Sequence, residues 1–305
     1  MSLNPIPMDP LASFRQAVQR PVRQAFGADR FPEEQYTEPA GDPGLFGPGS
    51  ATWVVHGDAA MLIGGVSAVI LQSLHPLAMA GVADHSDWKQ RPFQRLSRTS
   101  SFVTATTFGA TPVVDAIIDT VKAVHTKVVG TAPDGRHYEA GDPDLLRWIH
   151  VAEVSSFLAA HRRFGLLPIT PADQDRYYDE VRVVAERLGA TRVPRSRAEV
   201  AAYFEAVRPE LIAGRQAREA VHDLMNPHFP DRAVQAGYMV AIHGAIALLP
   251  DWARRMLRLN ERPAFELVTT RASVHALLNT LRVAGGGAPI PLRQAWARCS
   301  APSGS

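Results

Sequence analysis

The stretch AAMLIGGVSAVILQSLHPLAMAGVA, residues 59–83, carries no formal charge and decides the class of the fold. Its length would suffice to cross a lipid bilayer. Polar residues from Gln72 to Pro76 nevertheless interrupt its second half, and Asp58 and Asp84 bound it. This pattern is typical of a buried core helix, so we expect no stable membrane span.

The chain around this stretch is predicted to be almost wholly helical. A helix over residues 51–74 ends at the His75–Pro76 step, because proline cannot continue the hydrogen-bond ladder. Capping residues or prolines open most of the other helices, predicted over residues 11–26, 93–109, 112–129, 142–164, 171–188, 196–207, 209–225, 231–248, 251–257 and 263–283. Strand patterns are scarce, and Asp134-Gly135 is predicted to join two helices. The fold class is therefore a single all-α domain.

Proline and glycine divide the chain into three parts. Residues 1–50 are predicted to be an N-terminal helix followed by a wrapping loop that is rich in proline, glycine and acidic residues. Residues 51–283 form the helical domain. Residues 284–305 are predicted to be a loose C-terminal tail, because a glycine triplet opens it and serine, proline and glycine end it.

Composition excludes several classes of function. The 305 residues carry 32 Lys+Arg and 30 Asp+Glu with mixed signs, so a nucleic-acid partner is not expected. The single cysteine, Cys299, cannot form an intrachain disulfide or a thiolate metal site. The N-terminus lacks the order of a signal peptide, and we predict a cytoplasmic protein. Motifs of P-loop, Rossmann, zincin and α/β-hydrolase proteins are missing from the sequence.

Histidines on apolar helix faces are the main candidates for chemistry. Ile118, Val121 and His125 recur at spacings of three and four, which turns the imidazole of His125 toward the core. A buried neutral imidazole either pairs both nitrogens or offers one to a metal, and spacing alone leaves both interpretations open.

Arg95 and Thr99 lie four residues apart on one helix face. A buried arginine requires a carboxylate or a phosphate-like anion, ideally in a bidentate contact. The pattern therefore fits either an anionic ligand group or an internal salt bridge to Asp84 or Asp87.

A second reading of the histidines is a non-haem di-iron helical protein. His150 and Glu153 share one helix face, and Glu219 and His222 form an E-x-x-H pair. A di-iron bundle needs two such pairs and two further glutamates, so this alternative rests on a weak pattern.

Several stretches resemble one family in matching order. They include LQSLHPLAMAGV (71–82), RLSRT (95–99) and HTKVVG (125–130), and also residues 62–65, 84–86, 108–109, 138–140, 145–150 and 248–253. Together they resemble the MpaB/rubber-oxygenase catalytic domain family, which includes latex clearing protein, over roughly residues 46–259.

The resemblance implies a globin-like helical core with extra helices that holds haem b. By position it places the iron ligand, and with it the metal site, at His125, a propionate contact at Arg95 and a pocket wall at Thr99. It implies an oxidoreductase or oxygenase that acts on a small hydrophobic substrate, isoprenoid or lipid-like, with O₂ or peroxide and an electron donor. A haem-binding or sensing protein without turnover is the alternative, and the sequence allows a homo-oligomer.

One residue departs from the family pattern. Latex clearing protein has a lysine directly before the motif threonine, whereas this chain has Arg98, whose guanidinium cannot deprotonate to bind iron. We therefore predict Arg98, His85 and Asp84 as catalytic residues on the distal side and His75 as a further cofactor contact. Latex clearing protein is also secreted, so the polymer substrate is not carried over to this chain.

Overall fold

The computed structural model describes residues 34–86, 92–227, 229, 231–259, 264–285 and 289–301. These residues are mostly helical and form one domain, as predicted. The helices are α1 (Glu34–Thr37), α2 (Ala51–His56), α3 (Met61–Gln72), α4 (Pro76–His85), α5 (Pro92–Phe108), α6 (Thr111–His125), α7 (Pro143–Phe164), α8 (Pro171–Leu188), α9 (Arg197–Val207), a 3₁₀ turn (Arg208–Glu210), α10 (Arg215–Met225), α11 (Arg232–Leu248), α12 (Asp251–Met256), α13 (Ala264–Gly285) and α14 (Ile290–Ser300).

The helix predicted over residues 51–74 is in fact two helices, α2 and α3. Asp58 lies in the break, where its carboxylate accepts a hydrogen bond from the Ala60 amide at 2.7 Å. The same carboxylate forms an ion pair with Arg282 at 2.6 Å, and both side chains are 8% exposed. The break therefore depends on a residue of α13, far along the chain.

Helix α3 lies at the centre of the core between α7 and α11. A Cβ atom on Gly64 would lie 3.1 Å from both the Phe157 Cα and the Ala160 Cβ, so glycine permits the close approach of α3 and α7. Helix α4 follows α3 at a bend of 105°, with His75 as its N-cap residue and Pro76 in its first turn. No single described helix is long and apolar enough to span a membrane, and only the bent pair of α3 and α4 passes by length and composition.

A short hairpin corrects the prediction for residues 126–140. Strands β1 (Val129–Thr131) and β2 (His137–Glu139) pair antiparallel, with Val129 opposite Glu139. Asp134-Gly135 turns this hairpin and does not join two helices, and Gly135 has a φ of +86° that favours glycine. Helix α6, predicted to reach Val129, therefore ends at His125.

The prediction of a loose tail over residues 284–305 is wrong for its central part, because Ile290–Ser300 form α14. Arg298 on this helix is 2% exposed. Its guanidinium donates hydrogen bonds to the carbonyl oxygens of Tyr36 and Phe108, each at 2.9 Å, and of Asp42 at 2.8 Å. Arg298 thus fastens α14 to the N-terminal loop and to the corner between α5 and α6.

Candidate functional site

His125 is the last residue of α6 and lies half-buried on the inner face of that helix. Ile118, 2% exposed, precedes it on the same face, as the predicted stripe requires. Burial lowers the pKa of the His125 imidazole, so the ring is neutral at pH 7. The ring makes no hydrogen bond to any residue that the structure describes. A nitrogen of this ring is therefore free to bind a metal.

The predicted candidates on α5 occupy different environments. Thr99 is half-buried, whereas Arg98 is exposed. The backbone of Arg95 belongs to α5, but its side chain lies outside the described residues. The structure thus does not place Arg98 with the buried groups of the site, and the distal role of Arg98 stays a prediction.

Asp84 and His85 are exposed at the end of α4, where the hairpin holds them. The Tyr138 hydroxyl donates a hydrogen bond to Asp84 at 2.6 Å, and the His85 Nε2 lies 3.2 Å from the Val129 carbonyl oxygen. Because Val129 follows His125 by four residues, both side chains brace the segment next to His125. The structure shows these bracing contacts, and the catalytic role of both residues stays a prediction.

His75 lies at the other end of α4 from His85, about 15 Å away along the helix axis. It is 4% exposed, its ring centroid is 6.0 Å from that of Trp148, and its Nε2 is 3.8 Å from the Glu210 carboxylate. Burial lowers its pKa to about 4. The structure therefore does not bring His75 together with Asp84 and His85, and its predicted contact with the cofactor stays untested.

A buried polar cluster around His56 was not predicted from the sequence. The His56 ring bridges α5 and α8, because its Nδ1 lies 2.8 Å from the Thr107 hydroxyl and its Nε2 lies 2.9 Å from the Tyr177 hydroxyl. Burial and the nearby His150 and His161 lower its pKa to about 3. The only sequence signal is a histidine inside the apolar run 51–56.

Glu153 and His150 extend this cluster along the inner face of α7. Burial raises the pKa of Glu153 to about 7 and lowers that of His150 to about 4. Neither side chain makes a hydrogen bond within the described part of the chain. Both are therefore neutral or partly neutral near pH 7 and available to a ligand.

The described residues give no support to the di-iron alternative. Its other pair, Glu219 and His222, lies on α10, where the His222 side chain is 73% exposed. In the described ranges, no three His, Cys, Asp or Glu side chains are grouped so that they could hold a metal ion. Among the described residues, His150 and Glu153 consequently have no partner set for two irons.

Because several histidines are buried, we expect the protein to lose stability as the pH falls. The pKa values of His56, His75 and His150 are lowered from 6.5, so their stabilisation is complete above pH 6.5 and is lost as the pH falls toward 4. Each contributes up to about 1.4 kcal/mol per pH unit in this range. Glu153, whose pKa is raised, acts in the opposite direction and offsets part of the loss. We expect the free energy of unfolding in urea to fall by at least about 2 kcal/mol between pH 6.5 and about 4.5.

Two substitutions check the origin of this pH dependence. His150→Leu should make the dependence shallower, whereas His222→Leu, at an exposed position, should leave it unchanged. Equal stability of the wild type at both pH values would contradict the prediction.

Comparison with known proteins identifies the family of this chain. A family model for the catalytic domain described as ER-bound oxygenase mpaB/B'/Rubber oxygenase matches residues 53–282. The matched range contains His56 on α2, Thr99 on α5, His125 on α6 and Glu153 on α7. No curated protein and no solved structure matches the chain significantly.

Proposed function

This chain belongs to the ER-bound oxygenase mpaB/B'/rubber oxygenase catalytic-domain family, and on that premise we propose that it is a haem-b oxygenase acting on a small hydrophobic substrate. The family itself implies oxygenase activity, O₂ and a cofactor. The observation that supports haem is the inward, neutral imidazole of His125, which has no hydrogen-bond partner among the described residues.

The donor set near His125 fits a haem iron. A single histidine of the protein can hold a haem iron, because the porphyrin itself supplies most of the iron's ligands. A single histidine without a cluster of further His, Cys, Asp or Glu ligands is what the described part of the chain offers. A bare iron ion would need several protein ligands, so the arrangement favours haem.

The residues of the site would share the work of binding. His125 would hold the iron from the end of α6, Thr99 would line the pocket wall, and Arg95 would pair with a propionate. Asp84 and His85 would keep the segment after His125 in place through Tyr138 and Val129. When bound, haem would supply the binding and activation of O₂, while the protein sets polarity and access.

The visible spectrum of the protein tests this proposal. After expression with a haem precursor, the purified protein should show a Soret band that shifts on reduction and again on addition of CO. O₂ uptake should then rise when a small isoprenoid alkene is added. Protein without a Soret band would overturn the haem assignment, whereas a Soret band without substrate-dependent O₂ uptake would indicate a haem-binding or sensing protein.

A further inference from the structure

Gly65 is loosely packed beside Phe157 on a partly exposed side of α3. A Cβ atom on Gly65 would meet only the Phe157 Cε1 within 4 Å, at 4.0 Å, whereas the neighbouring Gly64 is packed against α7. A glycine inside a helix costs about 1 kcal/mol relative to alanine. Helix packing accounts for Gly64 but leaves Gly65 unexplained. Gly65 also keeps partial exposure although α3 is the central helix, so the space next to it is accessible.

Polar groups border Phe157 on its other sides. The His56 ring meets the Phe157 ring edge-on with centroids 5.2 Å apart. Glu153 lies one turn before Phe157 on the same face of α7, and His150 lies nearly one further turn away. His150 is 7% exposed, and Glu153 keeps partial exposure although protein surrounds it.

The polar groups of Glu153 and His150 have no hydrogen-bond partner among the residues that the structure describes. His150 is 7% exposed, and leaving a buried polar group without a partner costs about 1–3 kcal/mol. Burial alone accounts for the raised pKa of the Glu153 carboxyl, so no described cation stabilises its carboxylate form. Such groups are usually paired in folded proteins, so this pair points to a ligand.

The side chains of Glu153, His150 and Phe157 indicate which functional group a ligand here would carry. A carboxyl group near its pKa and a neutral imidazole can each donate or accept a hydrogen bond, as a hydroxyl group can. A carboxylate ligand would face Glu153 with no described cation to balance its charge, and a pure hydrocarbon would leave both side chains unpaired. Phe157, with the partly buried Val103 and Met61 packed in the same cluster, provides apolar walls for a carbon chain.

We propose that this Phe157 pocket, formed by Gly65, His150, Glu153 and Phe157, binds the hydroxyl end of a small apolar alcohol. Glu153 and His150 form hydrogen bonds with the hydroxyl group, and the carbon chain lies along Phe157. The inference rests on the proposed function in that it names the substrate class of the oxygenase. Binding itself is measurable without turnover.

Two isomeric probes test the pocket by calorimetry on the purified protein. Octan-1-ol and 1-methoxyheptane have the same composition, but only the alcohol can donate a hydrogen bond. We expect octan-1-ol to bind at least about tenfold more tightly, which is the effect of one hydrogen bond in a desolvated site. Octylamine serves as a third probe for a site that prefers a cation.

Substitutions test whether Glu153 causes the preference for the alcohol over the ether. Glu153→Leu should abolish the preference for the alcohol, and Glu153→Gln, which still donates and accepts, should retain part of it. Glu205→Leu is the matched control, because the Glu205 side chain is 70% exposed on α9. Glu153→Leu should also melt above the wild type at pH 8, since it removes a carboxylate that the fold buries unpaired, and this confirms that the variant folds.

The outcomes separate this inference from the proposed function. Equal binding of the two isomers, an unchanged preference in Glu153→Leu, or tighter binding of octylamine than of octan-1-ol would overturn the alcohol assignment. A preference that depends on Glu153 would support it, even in protein that lacks a Soret band. Substrate-dependent O₂ uptake without any alcohol preference would leave the oxygenase proposal standing and refute the pocket.

Discussion

His125→Ala is expected to purify with less than about one tenth of the haem of the wild type, because the substitution removes the histidine nitrogen that we propose would hold the haem iron. Neither neighbouring histidine is placed to replace it. His85 is held at the Val129 carbonyl, and His75 lies at the far end of α4. Haem content per chain, measured as the pyridine haemochrome, gives the answer.

Controls distinguish loss of the ligand from loss of the fold. His222→Ala, at a side chain that is 73% exposed, should keep its haem. The melting of haem-free His125→Ala should match that of haem-free wild type, and added imidazole should restore part of the Soret band. A full Soret band in His125→Ala would show that another residue binds the iron.

Arg298→Ala is expected to lower the free energy of unfolding by about 3–5 kcal/mol. The substitution removes the donors for the carbonyl oxygens of Tyr36, Asp42 and Phe108 and leaves a cavity in their place. The free energy of unfolding of Arg298→Lys should lie between those of the wild type and Arg298→Ala, because an ammonium group cannot reach all of these acceptors with the fork geometry of a guanidinium. Urea unfolding followed by circular dichroism measures the change.

The neighbouring Arg293 provides the matched control, since it lies on the same helix α14 and is exposed. Arg293→Ala should shift the urea midpoint little. Should Arg298→Ala unfold at the same midpoint as Arg293→Ala, the buried guanidinium would not stabilise the attachment of α14.

Helix boundaries were predictable wherever local chemistry sets them. Asp142 caps α7 by accepting hydrogen bonds from the amides of Asp144 and Leu145, and Thr170 and Ser196 cap α8 and α9 in the same way. These signals lie within four residues of the boundary, so they can be read from the sequence alone.

Boundaries that depend on distant partners were not predictable. The break between α2 and α3 involves the pair of Asp58 and Arg282, which are 224 residues apart. The hairpin strands are three residues long, too short to show an alternating pattern. Helix α14 has few buried apolar residues and relies on Arg298, whose acceptors are backbone carbonyls without any sequence signature.

In the candidate site too, local features could be predicted from the sequence, and features that depend on distant partners could not. The inward direction of His125 follows from the periodicity of a single helix and was predicted. The cluster of His56, Glu153 and Tyr177 is assembled from three helices, α2, α7 and α8, and its members become neighbours only in the fold. The exposed position of Arg98, one residue from Thr99, also depends on how α5 is rotated against its neighbours.

The contacts of Arg298 constrain the order in which parts of this protein can fold during translation. Its acceptor at Phe108 is synthesised 190 residues earlier, and the acceptor at Tyr36 is 262 residues earlier. At ribosomal rates of roughly 5–20 residues per second, the corner at Phe108 waits about 10–40 s for its donor. These carbonyl oxygens can therefore accept hydrogen bonds from Arg298 only after α14 has been synthesised, so the attachment of the N-terminal loop to α14 comes late in folding.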